Sequence, residues 1–161
     1  MNKLGAFMKR FSLALALTAA VTPLLAHHSF AMYDQTKTVT LTGVMKQFVG
    51  QANHAELHFV LIAPDGKSVA KGPDGKYVEW GVEMAGAAAV AQQGITATSF
   101  PVGTVFSVKL NPLRDGTNFG SRIGAIARCP MDEKTKKPVL PAAGMHCDSV
   151  PGHTLSGGTT F

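Results

Sequence analysis

From residue 38 onward, apolar and polar residues alternate in short segments that turn residues separate. This alternation is typical of half-buried β-strands, whose successive side chains point to opposite faces. The segments lie at 38–48, 54–62, 76–84, 104–110 and 121–128. The segment 85–93 is instead rich in alanine and ends before Gly94, so it predicts a short helix with a glycine C-cap.

The order of these elements predicts a closed barrel. Three strands, a short helix and two further strands is the order of a five-stranded OB-type barrel, which leaves no exposed sheet edge. An up-and-down barrel or a sandwich could share the same segments. Pro-Asp-Gly-Lys occurs at 64–67 and again at 73–76, which predicts two hairpin bends. We therefore predict an all-β fold with one short helix, in which an OB-like β-barrel occupies residues 38–128.

The segment 129–161 is rich in proline and glycine and predicts an irregular tail with a frayed end after His153. Cys129 and Cys147 are the only two cysteines. In an oxidising compartment such a pair forms a disulfide, which stabilises a fold by roughly 3 kcal/mol. The alternative is a copper(I) site of soft ligands formed by Cys129, Met131, Met145, His146 and Cys147. An oxidising compartment favours the disulfide over the copper(I) site, because oxidised cysteines supply no thiolate ligand.

The beginning of the chain has the pattern of an export signal. A positively charged start precedes an apolar run at 11–26, which Pro23 interrupts near its end. The run is short for an uncleaved anchor, because a membrane span needs about 20 apolar residues. We predict a signal peptide at 1–26, an N-terminal arm at 27–37, and a periplasmic or secreted protein without an integral membrane segment after cleavage.

The charge and the motifs restrict the classes of function. The formal net charge is +5, but Lys3, Lys9 and Arg10 belong to the predicted signal peptide. The exported part is thus only weakly basic, which argues against a nucleic-acid partner. Because no nucleophile elbow, zinc-protease helix or phosphate loop occurs, we predict that the protein is not an enzyme. The sequence does not indicate an oligomeric state.

The strongest candidate chemistry is the pair His27 and His28, which follows the predicted signal peptide. Cleavage after Ala26 would let His27 chelate a metal ion through its amine and its Nδ1, a ligand type that suits copper(II). Cleavage one residue earlier would let His28, as third residue, form a square-planar site with the amine and two amide nitrogens. Cleavage after Ala31 would discard both histidines. Alternatively, the two histidines begin a flexible arm and bind no specific ligand.

The second predicted strand offers further ligands. His54, Glu56 and His58 share one of its faces. Neighbours two positions apart lie about 7 Å from each other, whereas His54 and His58 lie about 13 Å apart and cannot both bind one ion. Only one of them can therefore complete a site with His27 and His28. Glu56 and Glu83 are candidates to orient these imidazoles, since ligating histidines often donate their other N–H to a carboxylate.

Several short motifs together carry a resemblance over residues 27–128. They are His27-His28-Ser29-Phe30, Val39-Thr40-Leu41-Thr42-Gly43, His54-Ala55 followed by His58, Trp80-Gly81-Val82-Glu83-Met84, Pro101-Val102-Gly103, and Pro112 with Arg114-Asp115-Gly116. The chain resembles a family of small exported bacterial proteins of unknown function whose mature part begins His-His-Ser-Phe. The resemblance implies a small β-rich exported domain and favours cleavage before His27. It implies no known activity.

These observations predict an exported domain that binds a transition metal through its N-terminal histidines, and copper is the favoured metal. The predicted role is metal binding or delivery, with a metal ion or a metal-delivery protein as partner. The main alternative is a non-catalytic binding or scaffold module of the cell envelope for a peptide, a glycan or a small ligand. A copper-dependent oxidase with an N-terminal histidine brace is the enzymatic alternative.

Overall fold

The computed structural model describes residues 31–158. The predicted signal peptide, His27 and His28 lie outside these residues. The chain divides into two compact units, Met1–Tyr33 and Asp34–Phe161, and the fold described below belongs to the second. Its elements in chain order are β1 (Val39–Gly50), β2 (Ala55–Leu61), β3 (Glu79–Glu83), α1 (Ala87–Gln92), β4 (Val105–Pro112), β5 (Phe119–Arg128), a 3-10 turn (Cys147–Ser149) and β6 (Thr154–Ser156).

The five predicted strands and the predicted helix are all present, with ends that differ by a few residues. β3 begins at Glu79, because the residues before it form a turn bridged by Lys71 and Tyr77. Gly94 follows α1 with a φ of 75°, a conformation that glycine adopts without strain. Alternation, alanine content and turn residues were therefore sufficient to locate these six elements.

Strand pairing closes the sheet into a five-stranded barrel. β1 pairs antiparallel with β2 and with β4, β2 pairs with β3, and β4 pairs with β5. A parallel pairing between β3 and β5, centred on Val82 and Gly120, joins the two ends. This mixed, closed arrangement confirms the OB-like barrel and differs from an up-and-down barrel, in which every neighbour is antiparallel.

The barrel interior is filled by aromatic and aliphatic side chains. Every second residue of β2 points inward, and Ala55, Leu57 and Phe59 are fully buried. The Phe106 ring of β4 lies edge-on to Phe59, with ring centroids 5.1 Å apart, and to Phe100, with centroids 5.8 Å apart. Such aromatic pairs stabilise the core beyond the area that they bury.

Two arginines of β5 hold the segment between α1 and β4 against the barrel. Arg122 donates from Nη2 to the Gln93 side chain over 2.6 Å, and its burial lowers the pKa of the guanidinium. Arg128 donates from Nη1 to the Ser99 carbonyl over 2.7 Å and lies 5.2 Å above the Phe100 ring. The contacts combine hydrogen bonding with a cation–π interaction.

Gly43 lies in the part of β1 that pairs with both neighbouring strands, opposite Leu61 and Phe106. A Cβ at this position would lie 2.4 Å from Cδ2 of Phe59 and 2.7 Å from the Val60 carbonyl oxygen. We expect Gly43→Ala to lower the free energy of unfolding by about 1–3 kcal/mol through overpacking. Urea denaturation of the purified variant measures this loss.

The matched control is Gly72→Ala in the turn between β2 and β3. The nearest atom to a Cβ there is the flexible Asp74 carboxylate oxygen, 3.2 Å away, and φ is not in the left-handed region. The control should keep its stability, because alanine restricts the unfolded chain more than glycine does. An equal loss in both variants would contradict a steric role for Gly43.

Both Pro-Asp-Gly-Lys sequences form turns, as expected. Gly66 and Gly75 adopt φ angles of 69° and 76°, which favour glycine. In the first turn the Asp65 carboxylate accepts from the backbone N–H of Lys67 over 2.9 Å. This hydrogen bond to the charged form lowers the pKa of Asp65.

The tail confirms one prediction and corrects another. Cys129 and Cys147 form the predicted disulfide, with their Cα atoms 4.8 Å apart, so in this structure neither supplies a thiolate. The expected fraying after His153 is wrong, because Thr154–Ser156 form β6 and pair antiparallel with residues 126–128 of β5. A three-residue strand is too short to produce a periodic pattern, and it forms here because β5 offers it a free edge.

Candidate functional site

Two imidazoles and two carboxylates lie together on the outer face of β2 and β3. Glu56 and His58 alternate with the buried residues of β2, and His54 directly precedes that strand. Glu56 is paired across the strands with Glu83, and His58 with Gly81. Two like charges directly opposite each other are unfavourable, so this arrangement favours cationic or proton-donating neighbours.

Each glutamate is in contact with one histidine. His58 donates from Nε2 to the Glu56 carboxylate over 2.7 Å. Because a carboxylate only accepts, Nε2 carries the proton and Nδ1 of the neutral ring keeps its lone pair. His54 places Nδ1 3.1 Å from Oε1 of Glu83. The His58 and His54 side chains are 35% and 47% exposed, so both rings are accessible to solvent.

The His58 ring is also held in place by Phe119 of β5. The two rings are tilted at 51° with centroids 6.4 Å apart. A Cβ at Gly81 would lie 2.3 Å from Cδ2 of Phe119 and 3.4 Å from Cε1 of His58, so the bare glycine lets the phenyl ring pack onto β3. Sequence reasoning missed Phe119 and the role of Gly81, because both depend on the parallel pairing of β3 with β5.

The structure separates the two predicted ligands of this face, and each has one of the predicted orienting carboxylates beside it. Glu83 accompanies His54, and Glu56 accompanies His58. Within residues 31–158, no group of three or more His, Cys, Asp or Glu side chains could hold a metal ion. The described face thus offers single imidazoles with carboxylate partners.

A second polar cluster joins the tail to the barrel wall. The backbone N–H of Cys147 donates to Oγ of Ser107 over 2.8 Å, Oγ of Ser107 lies 2.7 Å from Oγ1 of Thr42, and Oγ1 of Thr42 lies 2.8 Å from Nδ1 of His146. The backbone N–H donates to Ser107, and the two further contacts connect the buried Ser107 and Thr42 hydroxyls to the imidazole. Sequence reasoning considered His146 only as a soft-metal ligand.

Comparison with known families gives one result. The model of the "Family of unknown function (DUF6152)" matches residues 15–122. The chain belongs to this family.

The DUF6152 match contains β1 to β4, the residues of the β2–β3 face and the beginning of β5. The disulfide and His146 lie after it, so the tail is outside the part matched by the family. No curated protein and no solved structure matches this DUF6152 member. In the part of the chain that the structure describes, no helix is long and apolar enough to cross a membrane.

Proposed function

We propose that this protein binds a transition metal ion in the periplasm, either to hold it or to deliver it. Copper(II) is the favoured ion. The observation that carries the proposal is the pairing of His58 with Glu56. A ligating imidazole typically donates one N–H to a carboxylate and binds the metal through the other nitrogen. His58 has this arrangement, because Nε2 contacts Glu56 and no residue between 31 and 158 forms a hydrogen bond with Nδ1.

The remaining support comes from the sequence. Cleavage after Ala26 would make His27 the first residue and supply an amine and an imidazole, with His28 beside them. Copper(II) favours nitrogen ligands and stands at the top of the divalent affinity order. The export signal is the basis for a periplasmic location, where a metal-delivery protein would be the partner.

The experiment begins with the mass of the N-terminal peptide of the exported protein, which identifies the cleaved bond. Copper(II) titration with electron paramagnetic resonance then measures stoichiometry and nitrogen ligation. We expect about one copper per chain, bound by nitrogen. Replacing both His27 and His28 by alanine should abolish this binding, and unchanged uptake would contradict the proposal.

The two groups of histidines are tested separately. His58→Gln should weaken copper binding, and Glu56→Gln should weaken it by about 10- to 100-fold, as losing the carboxylate partner of a ligating imidazole does at other metal sites. His153→Gln is the matched control, since it removes an imidazole from the tail. If His58→Gln and His153→Gln bind copper alike, the β2–β3 face takes no part in the site.

A further inference from the structure

An open groove of about 430 Å³ lies between the tail and the outer wall of β1, β4 and β5. Its volume falls within the range of small-ligand sites. One wall is aliphatic and consists of Ile123, Ala125 and Leu155. Leu155 is 61% exposed, so this wall offers apolar surface that no part of the described chain covers. The groove is built from strands other than the β2–β3 face and is independent of the proposed metal site.

The groove also contains one positive and one negative group without partners. Lys109 on β4 and Asp148 in the 3-10 turn both line it. Both residues are exposed, and among the described residues neither side chain has an ion pair or a hydrogen bond. The groove therefore offers a ligand both a cation and a carboxylate.

Two imidazoles, His146 and His153, also line the groove. Nδ1 of His146 lies 2.8 Å from Oγ1 of Thr42, which fixes the ring. His153 donates from Nδ1 to the Val150 carbonyl over 3.0 Å, so its Nε2 is an acceptor. The hydroxyl chain and the neighbouring disulfide hold His146 before any ligand arrives, which lowers the entropic cost of binding.

We propose that this groove binds a free α-amino acid with an aliphatic side chain. Lys109 takes the carboxylate, and Asp148 and Nε2 of His153 take the ammonium group. The aliphatic side chain packs on Ile123 and Leu155. A simple anion fits less well, because Asp148 repels it, and an internal peptide residue lacks both charges.

The test is a nitrogen-15 NMR titration of the exported protein with L-leucine. Saturable shifts are expected at Gly124 and Leu155, which line the groove. Two analogues of leucine test the contribution of each charged group. The analogue 4-methylpentanoate lacks the ammonium group, and 3-methylbutylamine lacks the carboxylate. Each should bind at least about tenfold more weakly than leucine, because it leaves one charged group of the groove unpaired.

The variants Lys109→Gln and Asp148→Asn should each weaken leucine binding by at least about tenfold. Both residues are exposed, so the dispersed amide spectrum should persist and report an intact fold. Lys67→Gln, in a turn on the other side of β1, is the matched control and should bind leucine normally. Absence of saturable shifts at millimolar leucine, or undiminished binding in both groove variants, would overturn the proposal.

Discussion

Replacing Phe106 by alanine is expected to lower the free energy of unfolding by about 3–5 kcal/mol. The ring is fully buried and lies edge-on to both Phe59 and Phe100. Its loss leaves a cavity at the centre of the barrel, because the rigid strands around it cannot collapse into the space. Urea denaturation followed by circular dichroism measures the change.

The matched control is Tyr77→Ala. Tyr77 is 55% exposed and contacts Lys71 through a cation–π interaction on the surface. A surface truncation of this kind should change the free energy of unfolding by less than about 1 kcal/mol. Comparable losses in the two variants would mean that Phe106 is not part of a closely packed core.

Replacing Cys129 and Cys147 together by serine is expected to lower the free energy of unfolding by about 3 kcal/mol. The bridge spans a sequence separation of 18 residues and restricts the unfolded chain. It also fixes the backbone N–H of Cys147 against Ser107. The double variant should therefore lose order in the tail as well as stability, which hydrogen exchange of the β6 amides measures.

A reducing agent gives the internal control for this prediction. It should lower the urea midpoint of the natural protein to that of the double serine variant, and it should leave the variant unchanged. If reduction leaves the natural protein as stable as before, the disulfide does not contribute as predicted.

Most of the secondary structure could be predicted from the sequence, because it depends on local patterns. The alternation of Ala55, Leu57 and Phe59 with polar residues is sufficient to identify β2 and its inward face. The last strand has no such pattern. Thr154–Ser156 form a strand only because residues 126–128 of β5 present an edge to them.

The candidate site was predictable only in part. The period of two along a strand placed Glu56 and His58 on one face, as the burial pattern of β2 shows. The contact of Glu83 with His54 depends on the pairing of β2 with β3, which sets Glu56 opposite Glu83. The contact of Phe119 with His58 requires the closure of β5 onto β3.

By itself, the sequence determined the five barrel strands, the helix, the turns and the cysteine pair. These features depend on neighbouring residues or on composition. The tertiary structure alone decided the closure of the barrel, the contact of His54 with Glu83, and the chain of hydroxyl contacts to His146. Those features join residues far apart in the chain, as Thr42, Ser107 and His146 are. Their contacts exist only after the strands have paired and the disulfide has brought the tail to the wall of the barrel.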